Sequence, residues 1–227
     1  MHWERIGLVL MCTLGASAAD DPLKAVLAKM DEAAANFKSL AANIKRVEHI
    51  EVLHEDNTDS GTIKVKRAKP KDLHVRLEIQ GPNPLQAVVN GTDANVYYPN
   101  NPGEIQVIEM GHQKSLVDQF LTLGFGGNSR ELLSAFTVKP GGPETVAGEK
   151  TTRLELTPKS KDMAQYKRID LWISDTAGYT VQQKFFEAGG EYHVITYTNV
   201  QQNPGISDSV FKLDVPKGTK KEILIKK

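Results

Sequence analysis

The sequence predicts a single domain of mainly β (α+β) class: one long antiparallel sheet that curls, under a few short helices. Three observations carry this. From about Ile44 onward the chain alternates apolar and polar residues with a period of two, in roughly ten or eleven short runs separated by turn residues. Only three stretches change to helical spacing, and each is short. No repeat and no low-complexity linker divides the 227 residues.

At the start, Ile6–Leu14 is a short apolar run behind Arg5, followed by Gly15, Ala16, Ser17, Ala18 and Ala19. A charged start, an apolar centre too short to span a bilayer, and small residues at an A-x-A site make residues 1–19 an expected signal peptide, with 20–227 the mature domain. Asp21 and Pro22 open a helix as N-cap and first helical residue. Leu23, Val26, Leu27, Met30, Ala34 and Phe37 form its apolar stripe, with Lys24, Lys29, Asp31 and Glu32 opposite.

Ile44–Leu53 reads as a strand of broken alternation, as at an edge or bulge, and Glu55–Gly61 as a polar turn. Thr62–Arg67 alternates, with Ile63 and Val65 on one face and Lys64 and Lys66 on the other. Leu73, Val75, Leu77 and Ile79 then share a face opposite His74, Arg76, Glu78 and Gln80, the cleanest alternation in the chain. Leu85–Val89, Asn90-Gly91 and Asn95–Tyr98 make a hairpin, and Glu104–Met110 a further strand.

Helical spacing returns over Lys114–Phe125, through Leu116, Val117, Phe120, Leu121 and Leu123, until Gly124, Gly126 and Gly127 break it. Asn128 with Glu131 resembles a capping box and opens a short helix carrying Leu132, Leu133, Ala135 and Phe136. Strands resume around Val138, over Thr151–Leu156, Lys167–Ser174, Thr180–Glu187 and Tyr192–Val200, and near Ile223. Trp172 alternates against Ile169, Leu171 and Ile173 and is expected on the other sheet face or at a strand-crossing loop; Ser207–Phe211 reads as one helical turn.

Lys and Arg total 28, as do Asp and Glu, and the expected leader removes one of each (Glu4 and Arg5), so the mature chain is also neutral. That balance argues against a nucleic-acid partner and gives no strong attraction to an anionic membrane. The single cysteine, Cys12, lies in the leader behind Met11, where a lipoprotein signal would need a small residue; lipidation is therefore not expected. A mature chain without cysteine must be held by its core alone. The expectation is a soluble, exported monomer.

Alternation of this kind leaves one sheet face apolar and the other wet. A sheet of so many strands curls, and a wide curled sheet encloses room that its own side chains do not fill. With the helices as the only bodies available to cover the open mouth, the apolar concave face reads as a container for something apolar. Its expected lining is Ile63, Val65, Leu73, Val75, Leu77 and Ile79 from the sheet, with Leu116, Phe120, Leu123 and Phe136 facing them from a helical lid. The competing reading of the same side chains is an ordinary packed core.

Four stretches resemble the bacterial outer-membrane lipoprotein carriers of the LolA type and their superfamily of periplasmic lipid-binding half-barrels. They are Ser60-Gly61-Thr62-Ile63-Lys64-Val65-Lys66-Arg67, Val89-Asn90-Gly91-Thr92 through Val96-Tyr97-Tyr98-Pro99, Leu154-Glu155-Leu156-Thr157-Pro158-Lys159, and Phe211 to Gly218 with Val215-Pro216-Lys217-Gly218. Each is a strand ending in a turn; their order and spacing span nearly all of the mature chain. The resemblance implies an unclosed barrel of about eleven strands with a helical lid. It implies a periplasmic carrier of lipoprotein acyl chains or other lipids, served by an inner-membrane donor protein and an outer-membrane acceptor. It also implies that the arginine of a Lys-Arg-Pro element latches the lid. Lys66-Arg67 matches the first two residues, but Ala68-Lys69 intervene before Pro70. A guanidinium at a strand end can hold helix-end carbonyls, so Arg67 is either that latch or a solvated surface cation. The same half-barrel serves envelope-stress sensors that bind a partner protein. A sensor domain and a carrier of another lipid or glycolipid are the alternatives.

Chemistry of other kinds finds no footing. The five mature histidines, His49, His54, His74, His112 and His193, lack a second ligand at metal spacing, and there is no thiolate. No Gly-x-Ser-x-Gly element occurs, and Gly148-Glu149-Lys150-Thr151 is split by its glutamate and followed by a strand, unlike a phosphate loop. Asp162, Asp170, Asp175 and Glu187 are scattered acids near turns with no acid–base pairing. The expectation is a protein with no catalytic residues, no metal and no cofactor, and not an enzyme.

Overall fold

The computed structural model describes residues 21–224 apart from 70, 71, 91, 92, 102, 110–122, 124 and 126. The expected leader thus lies outside the described residues, as do Leu116, Phe120 and most of the expected central helix.

The chain begins with α1 (Pro22–Asn36), capped by the Asp21 carboxylate, which accepts a hydrogen bond from the Leu23 amide at 3.1 Å, with proline in the first turn. It continues through β1 (Ser39–Ile50), β2 (Glu55–Lys69), β3 (Asp72–Gln80), β4 (Leu85–Asn90), β5 (Asp93–Tyr97) and β6 (Glu104–Glu109). A short helix α2 (Ser129–Ala135) follows, its Asn128 side chain accepting from the Glu131 amide at 3.0 Å. Then come β7 (Phe136–Val146), β8 (Glu149–Pro158), β9 (Tyr166–Ser174), β10 (Thr180–Glu187), β11 (Tyr192–Gln202) and β12 (Lys220–Leu224).

These twelve strands form one open sheet in the order β12-β6-β5-β4-β3-β2-β1-β11-β10-β9-β8-β7. Neighbours pair antiparallel except β12 on β6, which is parallel. The expected count is about eleven and the structure has twelve; the C-terminal strand, expected near Ile223, reaches the far edge only after the chain crosses the sheet's outer face.

The largest boundary differences from the sequence expectation fall in β1 and β2, with β1 starting at Ser39 rather than Ile44. Glu55–Gly61 is not a turn but the first half of β2; the turn is Glu51–His54, and β1 ends at Ile50. This half of β2 is polar on both faces because its concave-side residues meet polar partners on β1: Asp59 lies opposite Arg46 and Asn57 opposite Glu48. Gly61 sits where β2 and β3 approach closely; a Cβ there would come within 1.9 Å of the Glu78 carbonyl oxygen.

The outer face of β2–β4 is not wet either. After β11 the chain returns across it as a strap. Lys66 donates to the Ile206 carbonyl (2.9 Å) and the Asp208 carboxylate (2.6 Å), and Arg76 to the carbonyls of Val210 (3.1 Å) and Lys212 (2.7 Å). The helical turn Asp208–Phe211 seats Phe211, 2% exposed, edge-on to His74 at 5.7 Å. The Lys66 hydrogen bond holds the Asp208 carboxyl below the usual carboxylate range. His74 therefore faces a covered surface rather than solvent.

Farther along the outer face, β8–β10 carry a charged lattice. Arg153 meets Glu144 (2.9 Å), Glu155 (3.2 Å) and Asp170 (3.2 Å), and the Trp172 indole donates to Glu144 at 2.7 Å. Trp172 is on the face opposite Leu171 and Ile173, as its alternation predicts. Asp170 lies mid-strand rather than near a turn, and burial pushes its carboxyl up against the pull of Arg168 and Arg153.

Candidate functional site

The concave face divides into two zones. Over β7–β10 it is filled. Val26 and Met30 of α1 and Leu132 of α2 pack with Phe136, Leu154, Leu156, Ile169, Leu171 and Phe185, all buried. This is a solid core, and α1 supplies it because its apolar residues recur every four positions.

The second zone, over β1–β4 and β11, has no helix packed into it among the described residues. Leu40, Ala42, Ile44, Ile63, Val65, Val75, Ile79 and Tyr197 are buried here with Phe125. Leu73, Leu77, Leu85, Val89, Ile195 and Val200 are only partly buried against them. The Tyr197 ring meets Phe125 edge-on at 4.8 Å, and burial pushes its phenol above the usual range.

Between the zones opens a hollow of about 360 Å³. Its apolar wall is Met30, Ala34 and Phe37 from the end of α1, Leu40 from the start of β1, and Leu123 and Phe125. Volumes of about 300–1,000 Å³ are usual for ligand pockets. The turn between β9 and β10 forms its rim. Gly178 there, at φ 71°, lets the turn lie against α1; a Cβ would sit 2.3 Å from the Lys29 carbonyl oxygen.

Polar contacts hold α1 in place beside the hollow. Asp31 accepts from the Ser129 amide (2.6 Å) and hydroxyl (2.7 Å) at the start of α2, and Lys29 bonds the Asp175 carbonyl. At the other end the Asn203 side chain accepts from the amides of Lys38 (2.7 Å) and Ser39 (3.2 Å) and donates to the Asn36 carbonyl (3.0 Å). Arg67, at the end of β2, reaches the Ala34 carbonyl at 3.5 Å and lies over the Phe37 ring at 5.4 Å. The carbonyl it meets belongs to α1, the N-terminal helix.

Of the residues singled out from sequence, Ile63, Val65, Leu73, Val75, Leu77 and Ile79 come together in the second zone. Phe136 does not join them: it is the first residue of β7 and packs in the filled zone. Leu123 packs in that zone too and is the one expected lining residue that borders the hollow. Leu116 and Phe120 lie outside the described residues. The sequence reading missed Met30, Ala34, Phe37 and Leu40 as a wall. Only the α1 stripe signalled the first three, and a stripe does not say which of its residues stop short of the core. It also missed Tyr197 and the buried Gln183, 3% exposed, because Gln182-Gln183 reads as solvated strand.

A one-sheet half-barrel with an apolar concave face, one end filled and the other bordering a hollow, is an architecture suited to binding an apolar molecule. The family model of the outer membrane lipoprotein carrier protein LolA matches residues 35–214, and the chain belongs to that family. Among curated relatives it is 30% identical over 126 residues to the outer-membrane lipoprotein carrier protein of Ralstonia nicotianae, covering 56% of this chain and 54% of that one. It is 37% identical over 94 residues to that of Cupriavidus necator, covering 41% and 40%. The chain thus spans about half the length, or less, of these relatives. Two solved structures share the fold. An uncharacterised conserved protein of Thermus thermophilus has a TM-score of 0.57 at 8% identity, covering 90% of this chain and 100% of that one. A chain of the Pseudomonas aeruginosa MucA/MucB complex has 0.50 at 14%, covering 84% and 61%.

Proposed function

We propose that this protein carries the acyl chains of lipoproteins through the periplasm toward the outer membrane, binding them on the apolar concave zone over β1–β4 and β11. The observation that carries the reading is the second zone itself: Leu73, Leu77, Leu85, Val89, Ile195 and Val200 stay partly exposed on a concave face whose other half is solidly packed. Apolar surface left on a concave wall gains free energy by taking up an apolar ligand. Residues 1–19 act as the export signal, and the mature, unlipidated domain starts near Asp20. It needs no cofactor and performs no chemistry on its cargo. An inner-membrane donor loads it and an outer-membrane acceptor unloads it.

In this reading Arg67 is the latch, and it works on α1. Its hydrogen bond to the Ala34 carbonyl and its seat over Phe37 tie β2 to the helix end that walls the hollow. The test uses spheroplasts that retain a newly made outer-membrane lipoprotein in the inner membrane. Added protein is expected to bring the lipoprotein into the soluble fraction as a complex and deliver it to outer-membrane vesicles. Arg67→Leu keeps the aliphatic stem without the donors, and is expected to take up cargo while delivering several-fold less. Lipoprotein that stays on the inner membrane contradicts the carrier reading. Delivery by the Arg67 variant equal to the parent's returns Arg67 to a surface cation.

A further inference from the structure

We propose that the carrier recognises the uncharged carbonyl where an acyl chain joins its headgroup, through Gln183 and Arg46 on one row of the concave face. This rests on the carrier reading above and adds the chemical class of the ligand's polar end.

The sheet register places the row. Asp59 on β2 lies opposite Arg46 on β1, Arg46 opposite Ile195 on β11, Ile195 opposite Gln183 on β10, and Gln183 opposite Leu171 on β9. Ile195 and Leu171 belong to the apolar packing of the concave side, so Gln183, between them, points the same way. Arg46 shares the face of Ala42 and Ile44 because β1 and β2 pair without a slip. The extra residue of the irregular β1–β11 pairing falls on β11, where Asn199 has φ 50°.

Two groups on this row lack partners among the described residues. The Gln183 Nε2 is buried with no hydrogen-bond acceptor among them, and so is the Arg46 Nε, although the Arg46 Nη2 bonds Asp59 at 2.6 Å. A buried polar group without a partner is costly, and native proteins keep few of them. Gln183 stands out because Leu171, Phe185 and Ile195 around it would accept leucine in its place. Arg46 can only donate, so the missing partner of the row is an acceptor oxygen.

The chain of the ligand has a place to run. From the row toward the start of β1 the concave face is Ile44, Ala42 and Leu40, ending at the hollow beside α1. Six residues of strand make this stripe roughly 20 Å long. In the other direction the next row is polar: Glu48, then His193, whose Nε2 is 2.8 Å from Glu187. The three carboxylates of Glu48, Asp59 and Glu187 outnumber Arg46 even if His193 is counted as a cation beside it. A carboxylate or phosphate would meet that excess of negative charge, whereas an ester or amide carbonyl would not.

The test measures displacement of a fluorescent acyl probe from the mature protein by three ligands of one chain length: monopalmitoylglycerol, the hexadecyl glyceryl ether that lacks its carbonyl, and palmitate. The parent is expected to bind the ester about tenfold tighter than the ether, the usual worth of a hydrogen bond to an otherwise unpartnered donor. Palmitate is expected to bind more weakly than the ester at neutral pH. Gln183→Leu should lose most of the preference for the ester, with only the share of Arg46 left, keep the parent's affinity for the ether within about twofold, and melt higher than the parent because the unpartnered amide is gone. Gln183→Met serves if leucine does not fold. Equal ester and ether affinities in the parent, palmitate as the tightest ligand, or discrimination that is undiminished in the Gln183 variant would each overturn the carbonyl site and leave the carrier reading standing. A parent that binds none of the three overturns both.

Discussion

Leu77→Lys is expected to abolish acyl binding while the domain stays folded. Leu77 lies on the concave face of β3, only partly buried, beside Val75 and Ile79 and opposite Ala87 on β4. An ammonium on that wall would sit where acyl methylenes must pack. Desolvating it costs several kcal/mol, so affinity for a fluorescent fatty acyl probe should fall by about a hundredfold or more. The fold escapes most of that cost because the lysine stem can lie along the apolar wall and its head can reach water while the ligand is absent. The midpoint of urea unfolding should therefore shift by no more than about 1–2 kcal/mol in stability. Val75, at 6% exposure, is the poorer site for this test because lysine there would be buried in both states. Lys64→Ala, on the outer face of the neighbouring strand, is the control and should bind the probe like the parent. His74 cannot serve as that control, since the strap covers it. Parent-like probe binding by Leu77→Lys would mean that the ligand, if any, lies elsewhere.

Phe211→Ala is expected to be the most damaging single truncation on the outer face, with no effect on the site. Its ring is buried against β3 and β4, and its own carbonyl accepts from the Asn90 side chain at 2.7 Å. Buried phenylalanine truncations cost about 3–5 kcal/mol. For a domain of this size that lowers the melting temperature by roughly 10 °C. Losing the ring also frees the strap, so amides of residues 206–212 and of β12 should exchange faster with solvent. Probe affinity at a temperature where the variant is folded should match the parent's, because the strap and the ligand zone are on opposite faces. A melting temperature within about 2 °C of the parent's would show that the strap is a loosely attached tail.

What could be read from the sequence follows from where the physics is local. The α1 cap, the α2 cap and the alternation of β3 are set by neighbours within a few residues, and all three stand where the sequence places them. The first half of β2 could not be read, because a strand with polar residues on both faces carries no period-two signal. Its concave-side partners, Arg46 and Glu48, become visible only once β1 is beside it. The strap is a similar case. Lys66, Arg76 and Asn90 look like solvated strand residues until a segment more than a hundred residues away lies over them. In the candidate site, the shared apolar face of β2 and β3 was legible from alternation, whereas the hollow needed the placement of α1 against the turn at Gly178. Gln183 was the least legible of all: glutamine in a strand reads as wet, and only the register turns it inward.

The most direct measurement is native mass spectrometry of the protein purified from its own cells, with organic extraction and identification of whatever is released. The account predicts a population heavier than the bare chain by the mass of an acylated molecule. That species should disappear on extraction and be absent from Leu77→Lys. Protein that flies only at the mass of its bare chain, and takes up no acylated molecule when offered one, would contradict it.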